Sequence, residues 1–128
     1  MGNILYAEDS GDDAFLISRA FEKVGISHMV IRVGDGEEAI TYLGNKPRPD
    51  LVLLDLKMPK LSGFDVLAYI RQRPDLKDLP VIVFTASELA EDIAKAKRMG
   101  AIDYFVKTSE WVPLATAMKS CFDRILAS

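Results

Sequence analysis

Acidic, hydroxyl and amino side chains stand where apolar segments of this chain end, in a pattern suited to phosphoryl chemistry. Glu8 and Asp9 follow Ile4–Ala7, with Asp12 and Asp13 close behind; Asp55 follows Leu51–Leu54, Thr85 follows Val81–Phe84, and Lys107 follows Ile102–Val106. If those segments are neighbouring strands, Glu8, Asp9 and Asp55 crowd together and repel one another, so that one of them keeps its proton or the group takes up a cation. Hard oxygen ligands of this kind select Mg²⁺. A carboxylate can attack phosphorus to form an acyl phosphate, while a metal ion and a lysine neutralise charge on the transferring oxygens. The pattern therefore points to a metal-dependent phosphoryl site, with Thr85 as a further hydrogen-bonding group.

The elements that must position these residues are legible from periodicity. Five apolar segments of strand length, Ile4–Ala7, Met29–Val33, Leu51–Leu54, Val81–Phe84 and Ile102–Val106, alternate with stretches of helical spacing. That alternation predicts an α/β fold in which helices cover both faces of a parallel sheet. The third and fourth segments are wholly apolar, as strands buried on both faces must be, whereas the second carries Arg32 and follows His28, which suits an edge. In such a sheet ligands bind at the carboxyl ends of the strands, where the reactive residues lie. Gly25, Gly44 and Gly100 fall at expected helix ends, and Pro80 precedes a strand. Ser87 is the expected N-cap of the fourth helix, and Thr108 or Ser109 that of the fifth.

Composition narrows the function classes. The chain has 128 residues, 49% hydrophobic and 27% charged, which is the globular average and the size of one domain. No apolar run approaches the ~18 residues of a membrane helix, and Met1-Gly2-Asn3 is no export signal, so a cytoplasmic location is expected. A single cysteine, Cys121, and a single histidine, His28, exclude an intrachain disulfide and cysteine- or histidine-rich metal sites. The net charge of −3, with basic residues dispersed, argues against direct nucleic-acid binding.

Together the pair Glu8-Asp9, the segment Asp55-Leu56-Lys57-Met58-Pro59-Lys60-Leu61-Ser62-Gly63, the pair Thr85-Ala86, and Gly100-Ala101 with Tyr104 and Lys107 resemble the receiver domains of two-component response regulators. The resemblance covers essentially the whole chain. It implies a flavodoxin-like doubly wound (βα)5 fold with a five-stranded parallel sheet in the order 2-1-3-4-5. It implies one receiver domain over residues 1–128 with no output domain, working as a signalling module and not as an enzyme on other substrates. Asp55 would accept a phosphoryl group from a phosphohistidine on a sensor histidine kinase. Asp9, Asp55 and the backbone carbonyl of Lys57 would ligate Mg²⁺, with Glu8 acting mainly through water. Thr85 and Lys107 would grip phosphoryl oxygens, and Tyr104 would move inward as Thr85 shifts, changing the surface of the fourth helix, fifth strand and fifth helix. A downstream protein would read that surface, and a homodimer through it is a further expectation. The alternative is a phosphorelay intermediate that passes its phosphoryl group to a histidine phosphotransfer protein. Glu8-Asp9-Ser10 and Thr85-Ala86-Ser87 with Asp92 further resemble stand-alone receivers paired with bacterial phytochrome kinases. Two residues depart from the pattern. Glu8 stands where an aspartate is common, and Thr108 stands where a proline usually follows the lysine and fixes its loop.

Other conspicuous residues have plainer readings. Asp12 and Asp13 suit the first turn of the first helix, where the dipole favours acids, better than metal ligation. His28 has no partner in the motif set and is expected at the surface; Cys121 lies on an apolar helical stripe and is expected in the core. Gly34-Asp35-Gly36 is the turn that opens a helix, not a phosphate loop, because the later glycine of that motif is missing. Trp111 suits either a partner anchor or simple packing. A haloacid-dehalogenase-like phosphatase would want an acid where Lys57 stands, and a flavodoxin-like flavin carrier would not place acids at residues 8–13 beside a phosphate.

Overall fold

The structure, a computed structural model, describes residues 2–45 and 47–127. Strand β1 (Asn3–Ala7) leads to helix α1 (Gly11–Val24), β2 (Met29–Val33) to α2 (Gly36–Asn45), and β3 (Leu51–Leu54) to α3 (Gly63–Gln72). β4 (Val81–Thr85) leads to α4 (Ala90–Arg98), and β5 (Asp103–Val106) to α5 (Trp111–Leu126). The strands form one parallel sheet in the order β2-β1-β3-β4-β5, as expected, with β2 and β5 at its edges. Successive side chains of a strand face opposite ways. Leu5, Val52, Leu54, Val81 and Val83 therefore pack one way against Ala39, Val66, Leu67 and Ile70 of α2 and α3 and Ala96 of α4. Ile4, Tyr6, Leu53, Ile82 and Phe84 pack the other way against Ile17 and Phe21 of α1 and Met118 and Phe122 of α5. Cys121 lies in that second layer, as its stripe predicts.

Register fixes which reactive residues meet. Ala7 of β1 pairs with Leu54 of β3, so the residues that follow, Glu8 and Asp55, leave the sheet side by side. Thr85 of β4 pairs with Val106 of β5, which brings Lys107 to the same edge. At α1, Ser10 Oγ accepts from the Asp13 amide at 3.1 Å, and Gly25 closes the helix in the left-handed region at φ 78°.

Several local expectations are corrected. α4 begins after Leu89, not Ser87; the Ser87 hydroxyl donates to Asp92 at 2.6 Å and accepts the Leu89 amide, so it is spent inside the loop. α5 begins after Glu110, whose amide binds Thr108 Oγ1 at 3.1 Å, so Thr108 makes a turn ahead of the helix and caps nothing; Ser109 caps nothing either. Gly44 lies inside the last turn of α2, which runs on to Asn45. His28 is not an ordinary surface residue. Its side chain is 7% exposed, Nε2 lies 3.1 Å from Asp123 of α5, and Nδ1 accepts from the Gly2 amide, an arrangement that assigns the proton to Nε2. Asp35 Oδ1 accepts from the Glu38 amide at 2.8 Å, so Gly34-Asp35-Gly36 does open α2. Trp111 packs edge-on against Phe84 at 6.3 Å, in keeping with the packing alternative.

Candidate phosphoryl and metal site

The carboxyl edge of the sheet is held by backbone bonds that leave the reactive side chains little freedom. The Glu8 amide donates to Val33, the Asp55 amide to Ala7, and the Lys107 amide to Thr85, at 3.0, 3.1 and 2.8 Å. Arg32, the charge that marks β2 as an edge, donates from Nε to the Glu8 carbonyl at 2.9 Å. Behind Asp55 the chain turns tightly, and a Cβ at Gly63 would lie 2.3 Å from the Asp55 carbonyl oxygen. Only glycine permits that approach, which explains its place eight residues after the aspartate in the motif. The Lys57 amide donates to Asp55 Oδ1 at 3.2 Å, while its side chain is exposed.

The structure brings Glu8, Asp9 and Asp55 together, with a carboxylate oxygen from each inside a span of 4.8 Å. Glu8 is fully buried and Asp55 4% exposed, whereas Asp9 reaches solvent. Lys107 Nζ lies 2.9 Å from Asp55 Oδ2, 2.8 Å from Glu8 Oε1 and 2.9 Å from Asp13 Oδ2. Burial pushes the Glu8 carboxyl up to about 7, with Asp55 adding to the rise and the Lys107 hydrogen bond opposing it. Burial alone would lower the Lys107 ammonium, but its three carboxylate bonds outweigh that and hold it protonated. Burial and neighbouring Glu8 likewise raise the Tyr6 phenol, which donates to Glu8 Oε1 at 2.9 Å.

Thr85 is fully buried, and its Oγ1 has no hydrogen-bond partner. An orphaned hydroxyl is costly in a core, and here it leaves one unspent donor at the carboxyl edge of the sheet. Three clustered carboxylates with a single ammonium carry excess negative charge, which fits a divalent cation. Tyr104, on β5, donates from its hydroxyl to the Ser87 carbonyl at 2.9 Å and so ties β5 to the β4–α4 loop. Asp12 and Asp13 occupy the first turn of α1 as expected, yet Asp13 also binds Lys107. That contact, the Tyr6 bond and the Arg32 bond escaped sequence reasoning. A tyrosine hydroxyl in the apolar run Ile4–Ala7 and a lone arginine in β2 were the available signals.

Residues 4–119 match the family described as response regulator receiver domain, and the chain belongs to that family. Response regulator Rcp1 of a Synechocystis strain is 39% identical over 111 residues, 82% of this chain and 76% of the relative. The solved structure of the phosphorylated cyanobacterial phytochrome response regulator RcpA is 35% identical, with a TM-score of 0.86, over 98% of this chain and 94% of the other. The Mn²⁺-bound form of Rcp1 is 34% identical, with a TM-score of 0.85, over 100% of this chain and 96% of the other. Among the described residues no helix is long and apolar enough to cross a membrane.

Proposed function

We propose that this protein is a stand-alone, cytoplasmic response regulator that accepts a phosphoryl group on Asp55 from a phytochrome-type sensor histidine kinase in a Mg²⁺-dependent reaction. The observation that carries the proposal is the convergence on Asp55: the oxygens of Glu8 and Asp9 within 4.8 Å and the Lys107 ammonium at 2.9 Å. The stand-alone subtype is supported by the relatives, because the aligned segment makes up 76% of Rcp1 and 94% of RcpA.

In this reading an Asp55 oxygen attacks phosphorus, the bond from phosphorus to the donor imidazole nitrogen breaks, and the imidazole leaves with the electron pair. Asp9, Asp55 and the Lys57 carbonyl would hold Mg²⁺, with Glu8 acting mainly through water, and the ion would supply charge neutralisation to the phosphoryl oxygens. Lys107 gives its Asp55 hydrogen bond to a phosphoryl oxygen and stabilises charge there. Thr85 turns its unpaired hydroxyl toward the same group. Because β4 runs from Thr85 into the loop that Tyr104 holds through Ser87, movement at Thr85 is passed to α4 and β5, the surface a partner protein reads. The reaction makes the protein a signalling module that catalyses only its own modification.

Intact mass after incubation with a small phosphodonor tests this. A gain of one phosphoryl group that needs Mg²⁺ and vanishes in Asp55→Asn is expected; a gain that persists in Asp55→Asn moves the acceptor elsewhere and ends the proposal.

A further inference from the structure

The Lys107 ammonium meets three carboxylates: it donates to Asp13 and to Asp55 at 2.9 Å each and pairs with Glu8 at 2.8 Å. Two of these partners are required elsewhere during the reaction. Asp55 commits an oxygen to the new bond with phosphorus, and Glu8 belongs with Asp9 and Asp55 to the acidic trio that would hold a cation. Asp13 belongs to neither. It stands outside that trio, four residues past Asp9, and it is the one carboxylate whose bond to Lys107 can persist from the resting site through phosphoryl transfer.

Its mounting suits such a role. The Asp13 amide is bound by Ser10 Oγ, and the adjacent Ala14 and nearby Ile17 anchor this turn of α1 in the core. The carboxylate is therefore presented from a rigid helix, while Lys107 reaches the site on a flexible four-carbon chain. Lys107 is followed by Thr108, whose hydroxyl accepts from the Glu110 amide, and a threonine here leaves the chain after the lysine without a proline ring to stiffen it.

We propose that Asp13 is a positioning residue that acts through Lys107, holding the ammonium over Asp55 while its other two donors change partners. The proposal rests on Asp55 being the phosphoryl acceptor, and its test separates the two ideas. Full-length wild type, Asp13→Ala, Lys107→Ala and the double variant are compared in two measurements: phosphoryl uptake from acetyl phosphate at saturating Mg²⁺, and the ¹⁵N signal of the Lys107 ammonium in metal-free protein. Amide spectra establish that each variant is folded. Asp13→Ala is expected to slow uptake roughly fivefold or more, since misplacing a charge clamp costs rate steeply. It should also erase the ordered ammonium signal. Added to Lys107→Ala, it should change the rate by less than about twofold, because residues acting as one unit are not additive. A wild-type rate, an unchanged ammonium signal, or an equal slowing in the Lys107→Ala background each overturns the proposal. If wild type takes up no phosphoryl group, the acceptor assignment has failed, and the ammonium signal alone still decides whether Asp13 holds Lys107.

Discussion

Replacing Asp55 by asparagine should abolish phosphorylation and, without metal, make the protein more stable. Asp55 is pulled by Lys107 at 2.9 Å and pushed by Glu8 and Asp9, whose oxygens lie within 4.8 Å. At an effective dielectric constant of about 20 the attraction is about 6 kcal/mol, and each of the two repulsions is at least about 3.5 kcal/mol. Asp13, bound to the same ammonium at 2.9 Å, adds a repulsion of about 3 kcal/mol. Repulsion therefore exceeds attraction before the cost of burying the Asp55 carboxylate is counted. Asp9 is exposed and Asp13 partly so, and solvent screening of their share reduces the net gain in Asp55→Asn to about 1–2 kcal/mol. For a chain of this size that raises the melting temperature by about 4–8 °C. The assay is thermal and urea unfolding at pH 8, where most of Glu8 is ionised, in low salt with a chelator present. Added salt should shrink the difference, and Mg²⁺ should stabilise wild type more than the variant, because it supplies the missing counter-charge. A variant no more stable than wild type in metal-free, low-salt buffer would refute the reasoning, since Lys107 would then outweigh all three acids.

The same geometry fixes three further outcomes. Thr85→Val keeps the shape of a fully buried side chain but deletes a hydroxyl that has no partner, so the unphosphorylated protein should unfold at the same urea concentration or higher, by up to ~1 kcal/mol. Its phosphorylated form should bind a reader protein more weakly than phosphorylated wild type. Glu8 has its folded-state value raised from 4.5 to about 7, so its contribution to stability is present below pH 4.5 and lost as pH rises through 7. Metal-free protein should lose up to about 3 kcal/mol relative to Glu8→Gln over that window in urea titrations, and Mg²⁺ affinity measured by calorimetry should fall as pH drops below 7. Gly63→Ala would set a Cβ 2.3 Å from the Asp55 carbonyl oxygen, and should cost ~1–3 kcal/mol and slow phosphoryl uptake by displacing Asp55.

The fold and the acidic, hydroxyl and amino corners of the site were legible in the sequence because they are encoded by local period. Short apolar runs mark β1, β3 and β4 as buried strands, and the residue after each run is then forced to the carboxyl edge. Such patterns are silent on which charged side chains meet across elements. Lys107 and Asp13 are 94 residues apart, and His28 and Asp123 are 95 apart. Each pair has one member on a helix of the same face, Asp13 on α1 and Asp123 on α5, which pack together through Phe21 and Phe122, and helical periodicity fixes the buried stripe but not the neighbour. Arg71 shows the same limit. Nothing in the pattern of α3 singles it out, yet it donates to the carbonyls of Lys77, Leu79, Met99 and Gly100 and so clasps the approaches to β4 and β5.

Caps failed for a different reason. Ser87 has the right residue type near the start of α4, but Asp92 offers its hydroxyl a charged acceptor at 2.6 Å, and a charge-assisted bond is stronger than one to a backbone amide. Competition of this sort is decided by geometry, not by residue type. It also bears on Thr108. Read along the sequence, a missing proline loosens Lys107; in the structure the backbone amide of Lys107 is bound to Thr85 at 2.8 Å and its ammonium to carboxylates from three elements. A ring that stiffens the chain after the lysine restrains only the backbone. Three acceptors at hydrogen-bond distance restrain the charged atom itself, so the placement of Lys107 here rests on Asp13, Glu8 and Asp55 and not on the residue that follows it.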